Sequence, residues 1–277
     1  MARFQLVAAD LDGTLLDPHG AATAATRAAV RALREAGVTL ALATSRRVCG
    51  AVPAALALGH SGPLIVYDGA LICDYPSGEW FAAESLDRAV AREAADVLAA
   101  HRLRPLVQHW SAEGERLIAG PAIPGEAFEA RYLARFAGQL TEVAPHMICD
   151  GPRDPLRMAV FGPVERLRAA ARALRHLTCG LQVLPAASYG AAELTLFSRA
   201  ASKGAALRTL ARRLDISLAA TCALGDGLND LSLFAAAGFS IAMADAPDEV
   251  RAAAGVVTQG NKHDGAAAAI MHYVLGA

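Results

Sequence analysis

The apolar run Val7-Ala8-Ala9 stops abruptly on Asp10-Leu11-Asp12-Gly13-Thr14, that is, on two carboxylates, a glycine and a hydroxyl. Phe4 to Ala9 reads as a short buried strand, apolar without a break from Leu6 to Ala9, and the carboxyl end of such a strand is where open α/β sheets keep their ligands. Two carboxylates this close can share a divalent cation, or divide labour between nucleophilic attack and proton handling. Gly13 permits backbone angles closed to other residues, and the amides beyond it can face an anion. Taken alone, Asp-x-Asp-Gly is equally the pattern of a capped acidic turn after a strand.

A chain of 277 residues has room for one large domain or two ordinary ones. Its hydrophobic fraction is 54% with only 5% aromatics, so the core is built from Ala, Leu and Val, which suits helices packed closely on a sheet and predicts an α/β fold. The formal net charge of −1 supplies no electrostatic footprint for nucleic acid or for an anionic membrane, and neither is expected as a partner. Cys49, Cys73, Cys149, Cys179 and Cys222 are scattered without Cys-x-x-Cys spacing, which argues against a disulfide framework and against a zinc site. No stretch approaches the ~20 apolar residues of a membrane span, and no basic segment leads into an apolar run at the start. A soluble, unprocessed, cytoplasmic protein is the expectation.

Ala21 to Ala36 reads as an Ala/Arg-rich helix stopped by Gly37, and Val38 to Ala43 as a strand ending in Thr44-Ser45-Arg46. A right-handed crossover then lays the second strand parallel to the first and puts Thr44 on the same sheet edge as Asp10. Arg47 to Leu58 is helical in pattern, Pro63 to Tyr67 is a third strand, and Asp68-Gly69 turns into a hairpin that runs through Trp80 and Phe81. From Glu84 the pattern changes to helices at Leu86–His101, 126–136 and Val164–Leu177, with strands near Leu106, Leu117, Leu156–Phe161 and Leu181–Leu184. These strands are too close together for repeated parallel crossovers, so an inserted α+β domain is expected. The first pattern resumes at Glu193–Phe197, followed by a helix led by Ser202-Lys203-Gly204 and by a strand that ends in Gly225-Asp226-Gly227-Leu228-Asn229-Asp230. A last strand reaches Asp245, Pro247 opens a short helix, and Asp264 stands where it could cap the final one.

Taken in order, Asp10-Leu11-Asp12-Gly13-Thr14, Thr44, Lys203 and Gly225-Asp226-Gly227-Leu228-Asn229-Asp230 resemble the four motifs of the haloacid dehalogenase superfamily. Ala43-Thr44-Ser45-Arg46, Ser202-Lys203-Gly204, Ala242-Met243-Ala244 and Asp264-Gly265-Ala266 further resemble its Cof-like phosphatase branch. The resemblance implies a doubly wound, Rossmann-like parallel sheet formed by 1–83 and 191–277, with a substrate-specificity cap inserted at 84–190. It also implies a Mg²⁺-dependent phosphatase acting on a small phosphorylated metabolite, a sugar phosphate or a phosphorylated cofactor, with monomer and dimer both open. Asp10 would be the nucleophile, and Asp12 would protonate the leaving alcohol and then activate water. Asp10, Asp12 through its carbonyl, and Asp226 would hold Mg²⁺, with Asp230 orienting the metal's surroundings or Lys203. Thr44 and Lys203 would hold the phosphoryl oxygens, with Gly13, Ser45, Arg46 and Asn229 around the phosphate.

The sequence departs from the branch at Ser45, where glycine is common, at Asp68, where Asn-Gly-Ala is expected, and at Asp245, where asparagine is usual. Asp68 and Asp245 would add negative charge near the mouth of the site. A phosphomutase that returns the phosphoryl group to a second hydroxyl is the near alternative, and a phospho-ligand sensor without turnover is a more distant one. Within the cap, His109, Trp110, Tyr132, Arg153 and Arg157 are expected contacts to the leaving group. One compositional bias bears on the site: Lys203 and Lys262 are the lysines of the chain, and every other basic residue is arginine. Arg and Lys differ where a compact ammonium must meet a carboxylate or phosphate, so Lys203 is expected to resist exchange and Lys262, read as a surface residue, to tolerate it.

Overall fold

The computed structural model describes residues 3–111, 114–135, 139–185 and 191–277. Two units are distinguished, one formed by Met1–Ala83 with Ala201–Ala277 and the other by Glu84–Ala200. In the first, β1 (Leu6–Ala9), α1 (Ala24–Glu35), β2 (Thr39–Ala43), α2 (Val48–Leu58) and β3 (Gly62–Val66) alternate before β4 (Leu71–Tyr75) and β5 (Trp80–Ala83) double back. The second unit comprises α3 (Arg88–Ala100), β6 (Pro105–Ser111), β7 (Gly114–Ala119), α4 (Ala130–Arg135), β8 (Leu140–Glu142), β9 (Arg157–Gly162), α5 (Val164–Ala173), β10 (Gly180–Leu184) and β11 (Ala192–Phe197). The chain then returns to the first unit with α6 (Lys203–Arg213), β12 (Thr221–Gly225), α7 (Leu231–Ala236), β13 (Phe239–Ala242), α8 (Asp248–Ala253), β14 (Val256–Val257) and α9 (Gly265–Ala269).

The first unit is an α/β fold around an eight-stranded sheet ordered β14-β13-β12-β1-β2-β3-β4-β5. The pairs from β14 through β3 are parallel, and β4 and β5 add an antiparallel edge. Ala8 lies in register with Ala41 on one side and Ala223 on the other, so small side chains line the sheet centre and let helices pack closely. Helix α1 shows how its ends are set: the Thr23 hydroxyl accepts from the Thr26 amide at 3.1 Å, and Ala29, Val30 and Leu33 face the core at helical spacing. Burying side chains such as Val30 and Leu33 stabilises by roughly 1.5–3 kcal/mol each.

Asp264 does not cap the last helix as expected. Its backbone is left-handed and its side chain makes no cap hydrogen bond. The Asp264 carboxylate instead accepts from the Thr23 hydroxyl at 2.7 Å, linking the start of α9 to the start of α1.

The second unit is built on a six-stranded sheet ordered β10-β11-β9-β6-β7-β8, antiparallel except for β7 with β8. Its core joins Leu98 of α3 and Leu167 of α5 to Val107, Met158 and Leu194 of the sheet. Strand β11 differs from expectation. Assigned from its pattern to the segment 191–277, it pairs with β9 and β10, because Leu194 and Leu196 enter this second core and draw the strand with them. Helix α4 begins only at Ala130, after a turn at Gly125, and Phe136 lies outside the described residues. The short strands β8 and β14 have too few residues to leave a pattern.

His109, Trp110, Tyr132 and Arg157, expected as cap contacts, are all buried, whereas Arg153 is exposed. A His109 ring nitrogen meets the Ile148 carbonyl at 3.2 Å, while Gln108 donates to the Tyr132 hydroxyl and accepts from Arg157 at 2.6 Å.

Candidate active site

The strand order reverses between β1 and β12. From β1 the chain winds outward to β2 and β3, and only much later does it return to pair β12 on the other side of β1. A crevice forms at the carboxyl ends of strands at such a switch point. Asp10 follows β1 there, Thr44 follows β2, and Asp226 follows β12.

Lys203 reaches this edge from the first turn of α6. Ser202 caps that helix, its hydroxyl accepting from the Ala205 amide at 3.1 Å. Gly69 sits at φ +98°, and a Cβ there would lie 2.2 Å from the Ser202 carbonyl oxygen, so only glycine lets the turn after β3 approach the helix start this closely. The Lys203 ammonium is buried and donates to Asp10 Oδ1 and to Asp230 Oδ1, both at 2.6 Å. Burial works against its charge, but Asp10, Asp230 and Asp68 more than reverse that, and its pKa ends above the ordinary lysine value. The other Asp230 oxygen accepts from the amides of Asp226 at 3.0 Å and Gly227 at 2.9 Å. Asp230 thereby fixes both the lysine and the loop that carries Asp226.

Asp226 is held from the opposite side by the Thr14 hydroxyl, which donates to its Oδ1 at 2.9 Å. Gly13, at φ +82°, lies against the same carboxylate, and a Cβ there would fall 2.2 Å from Asp226 Oδ2. The loop bearing Thr14 is anchored by Asn261, whose side-chain amide donates to the carbonyls of Thr14 at 3.1 Å and Leu16 at 2.7 Å. Asn261 itself is oriented by Asp245, whose carboxylate accepts from its backbone amide at 3.0 Å. This support was not read from the sequence, because an asparagine beside a Gly and a Lys reads as an ordinary loop.

Asp10, Asp226 and Asp230 each offer a carboxylate oxygen within 4.8 Å of the others. Burial pushes the Asp10 carboxyl well above its usual range, Lys203 draws it down, and Asp230 and Asp226 push it up again. Burial likewise raises Asp226 to about 6, against the hydrogen bond from Thr14. Two buried carboxylates and one half-buried one that disfavour one another's charge, with oxygen as their donor atom, fit a hard divalent cation such as Mg²⁺.

The remaining expected residues are distributed differently. The Asp12 carboxylate, more than half exposed, is forked by Arg46, with Nε at 2.7 Å and Nη2 at 2.5 Å, so its side chain is not among the clustered carboxylates and the guanidinium is engaged by an acid. Thr44 is buried, its hydroxyl accepting from the Arg46 amide at 3.1 Å. Ser45 is exposed beside it. Asn229 donates to Asp68 Oδ1 at 2.8 Å.

A family model of haloacid dehalogenase-like hydrolases matches residues 7–270. The chain belongs to that family. Full-length relatives of this hydrolase include the phosphatase YwpJ of Bacillus subtilis, 29% identical over 97% of this chain and 99% of the relative. The HMP-PP phosphatase of Serratia proteamaculans is 27% identical over 90% of this chain and 86% of the relative. Among solved structures, a haloacid dehalogenase-like hydrolase from B. subtilis superposes with a TM-score of 0.76 at 26% identity, covering 98% of this chain and 100% of the other. One from Bacteroides thetaiotaomicron reaches a TM-score of 0.80 at 23% identity over 98% and 99% of the two chains, a likeness of fold. The protein is thus an enzyme of the haloacid dehalogenase-like hydrolases. Among the described residues, no helix is long and apolar enough to cross a membrane.

Proposed function

We propose that this hydrolase is a Mg²⁺-dependent phosphomonoesterase acting on a small phosphorylated metabolite through an aspartyl-phosphate on Asp10. The observation that carries the reading is the buried Asp10–Lys203–Asp230 array with Asp226 beside it, at the end of β1. The printed activities of relatives agree, since one is an HMP-PP phosphatase and another, YwtE of B. subtilis, is a 5-amino-6-(5-phospho-D-ribitylamino)uracil phosphatase.

In the proposed reaction an Asp10 oxygen attacks phosphorus, and the bond from phosphorus to the leaving oxygen breaks as Asp12 gives that oxygen a proton. Water then attacks the same phosphorus, loses its proton to Asp12, and releases inorganic phosphate and free Asp10. Proton transfer of this kind typically contributes ~10²–10⁴ in rate. Lys203 and the Thr44 hydroxyl hold phosphoryl oxygens whose charge is spread in the transition state. Asp10 and Asp226, with the Asp12 carbonyl, would hold Mg²⁺, which supplies further neutralisation of phosphoryl charge when bound. For Asp12 to work, it exchanges the Arg46 fork for the leaving oxygen, which frees the guanidinium for the anionic substrate.

Release of inorganic phosphate from an aryl phosphate with Mg²⁺ tests the reading. Release without any sugar bisphosphate activator supports hydrolysis, a requirement for one supports a mutase, and binding without turnover overturns the enzymatic assignment of these residues.

A further inference from the structure

Tyr67 and Asp68 both sit at φ +54°, a left-handed conformation that is uncommon for residues other than glycine and rarer still in succession. Such strain persists only where the surroundings over-determine it. Here the Tyr67 amide donates to the Arg46 carbonyl at 3.0 Å, the Asp68 amide donates to the Thr44 carbonyl at 3.1 Å, and Gly69 lies against the start of α6. The turn is therefore clamped between the residues that carry Thr44 and Lys203. Its product is the placement of the half-buried Asp68 side chain, whose Oδ1 accepts from Asn229 at 2.8 Å and whose charge reinforces that of Lys203. Among the described residues, Asp68 Oδ2 has no hydrogen-bond partner.

We propose that Asp68 sets leaving-group selectivity, disfavouring phosphomonoesters whose alcohol bears a second anionic group and favouring those whose alcohol bears hydroxyl or ammonium donors. The inference rests on the phosphatase reading and names the substrate class within it. A dianionic phosphoryl group is matched by Lys203, Arg46 and the metal, but a second anion on the leaving group would meet a sheet edge where Asp12, Asp68, Asp226 and Asp245 outnumber the cations. Among these, Asp68 alone joins Thr44 to Asn229, at the rim of the phosphoryl pocket. Repulsion between like charges is a specificity device in its own right, and at a partly exposed site it weakens as salt rises. A donor on the leaving group, by contrast, finds an open acceptor in Oδ2.

The alternative is that Asp68 serves only to orient Asn229. Asp68→Asn separates the two, because an asparagine oxygen can still accept from the Asn229 amide while the charge is gone. The experiment uses the full-length enzyme with Mg²⁺ and compares kcat/KM for glycerol phosphate, ethanolamine phosphate and phosphoglycolate at low and high ionic strength. In the wild type, glycerol phosphate and ethanolamine phosphate are favoured over phosphoglycolate, and the preference narrows with added salt. In Asp68→Asn the preference falls at least ~10-fold, mainly through KM for phosphoglycolate, and loses its salt dependence. A preference that stays within about twofold of wild type, or an equal loss on all three esters, would overturn the proposal. Absence of phosphate release from these three esters by both proteins would overturn this inference, and absence of release from an aryl phosphate as well would overturn the phosphatase reading with it.

Discussion

The Lys203 ammonium donates to Asp10 across 2.6 Å although the two residues stand 193 positions apart, and both side chains are buried. A compact ammonium fits between Asp10 and Asp230, whereas a planar guanidinium needs more room and a fixed fork. Lys203→Arg is expected to lower kcat/KM by ~10²–10³, the usual cost of losing one well-placed donor to transition-state charge. Lys262→Arg, at an exposed position, is the matched control and should be near neutral. Steady-state kinetics of both variants on one aryl phosphate check this, and equal losses in the two would contradict it.

Asp10 and Asp12 are predicted to fail in different ways. Asp10→Asn should abolish turnover while leaving the unfolding transition in place, since an amide of the same shape cannot attack phosphorus. Asp12→Asn should accumulate phospho-enzyme when the leaving group needs no proton, because water then lacks its base. Intact-mass spectra of both variants after mixing with an aryl phosphate distinguish these outcomes.

Gly13→Ala tests the support of Asp226. The new methyl group would stand at φ +82° and 2.2 Å from Asp226 Oδ2, so either the turn or the carboxylate must move. The backbone strain alone costs roughly 1–3 kcal/mol. Mg²⁺ affinity measured by calorimetry should fall at least ~10-fold, with a lowered Tm; unchanged affinity would show that Asp226 is not held through Gly13.

His60 governs a pH effect away from the catalytic edge. Burial lowers its pKa to about 4, against the pull of the Gly62 and Pro63 backbone and of Asp74. Between about 4 and its ordinary 6.5 the unfolded chain binds the proton that the folded chain refuses, so stability falls as pH falls through this window. The loss between pH 7 and pH 5 amounts to about 2 kcal/mol. Urea unfolding across that range should be steeper in the wild type than in His60→Leu, and parallel curves would contradict the assignment.

Much of the fold was legible because strand ends and helix stops are local. The α/β alternation follows from apolar runs such as Val7–Ala9 and Val38–Ala43 closed by acids, hydroxyls or Gly37. What stayed hidden was long-range. The alternation of β11 says that Leu194 and Leu196 are buried but not in which core, and it placed the strand in the wrong unit. The Arg46 fork onto Asp12 joins residues 34 positions apart, and no spacing rule announces it. Asn261 is similar, since its bonds to the carbonyls of Thr14 and Leu16 depend on the return of the chain after β13. Asp68 and Asp245 were legible as departures from a resemblance, and Asn229 as a site residue, but the pairings of Asp68 with Asn229 and of Asp245 with Asn261 were not.

The central claim is a covalent phosphoryl group on Asp10, and the most direct measurement is peptide mapping of enzyme quenched in acid during turnover of an aryl phosphate with Mg²⁺. The account predicts one acid-stable, base-labile acyl phosphate on the peptide containing Asp10, enriched in Asp12→Asn and absent from Asp10→Asn. Sustained phosphate release with no phosphoryl group on that peptide, or with one on a different residue, would contradict it.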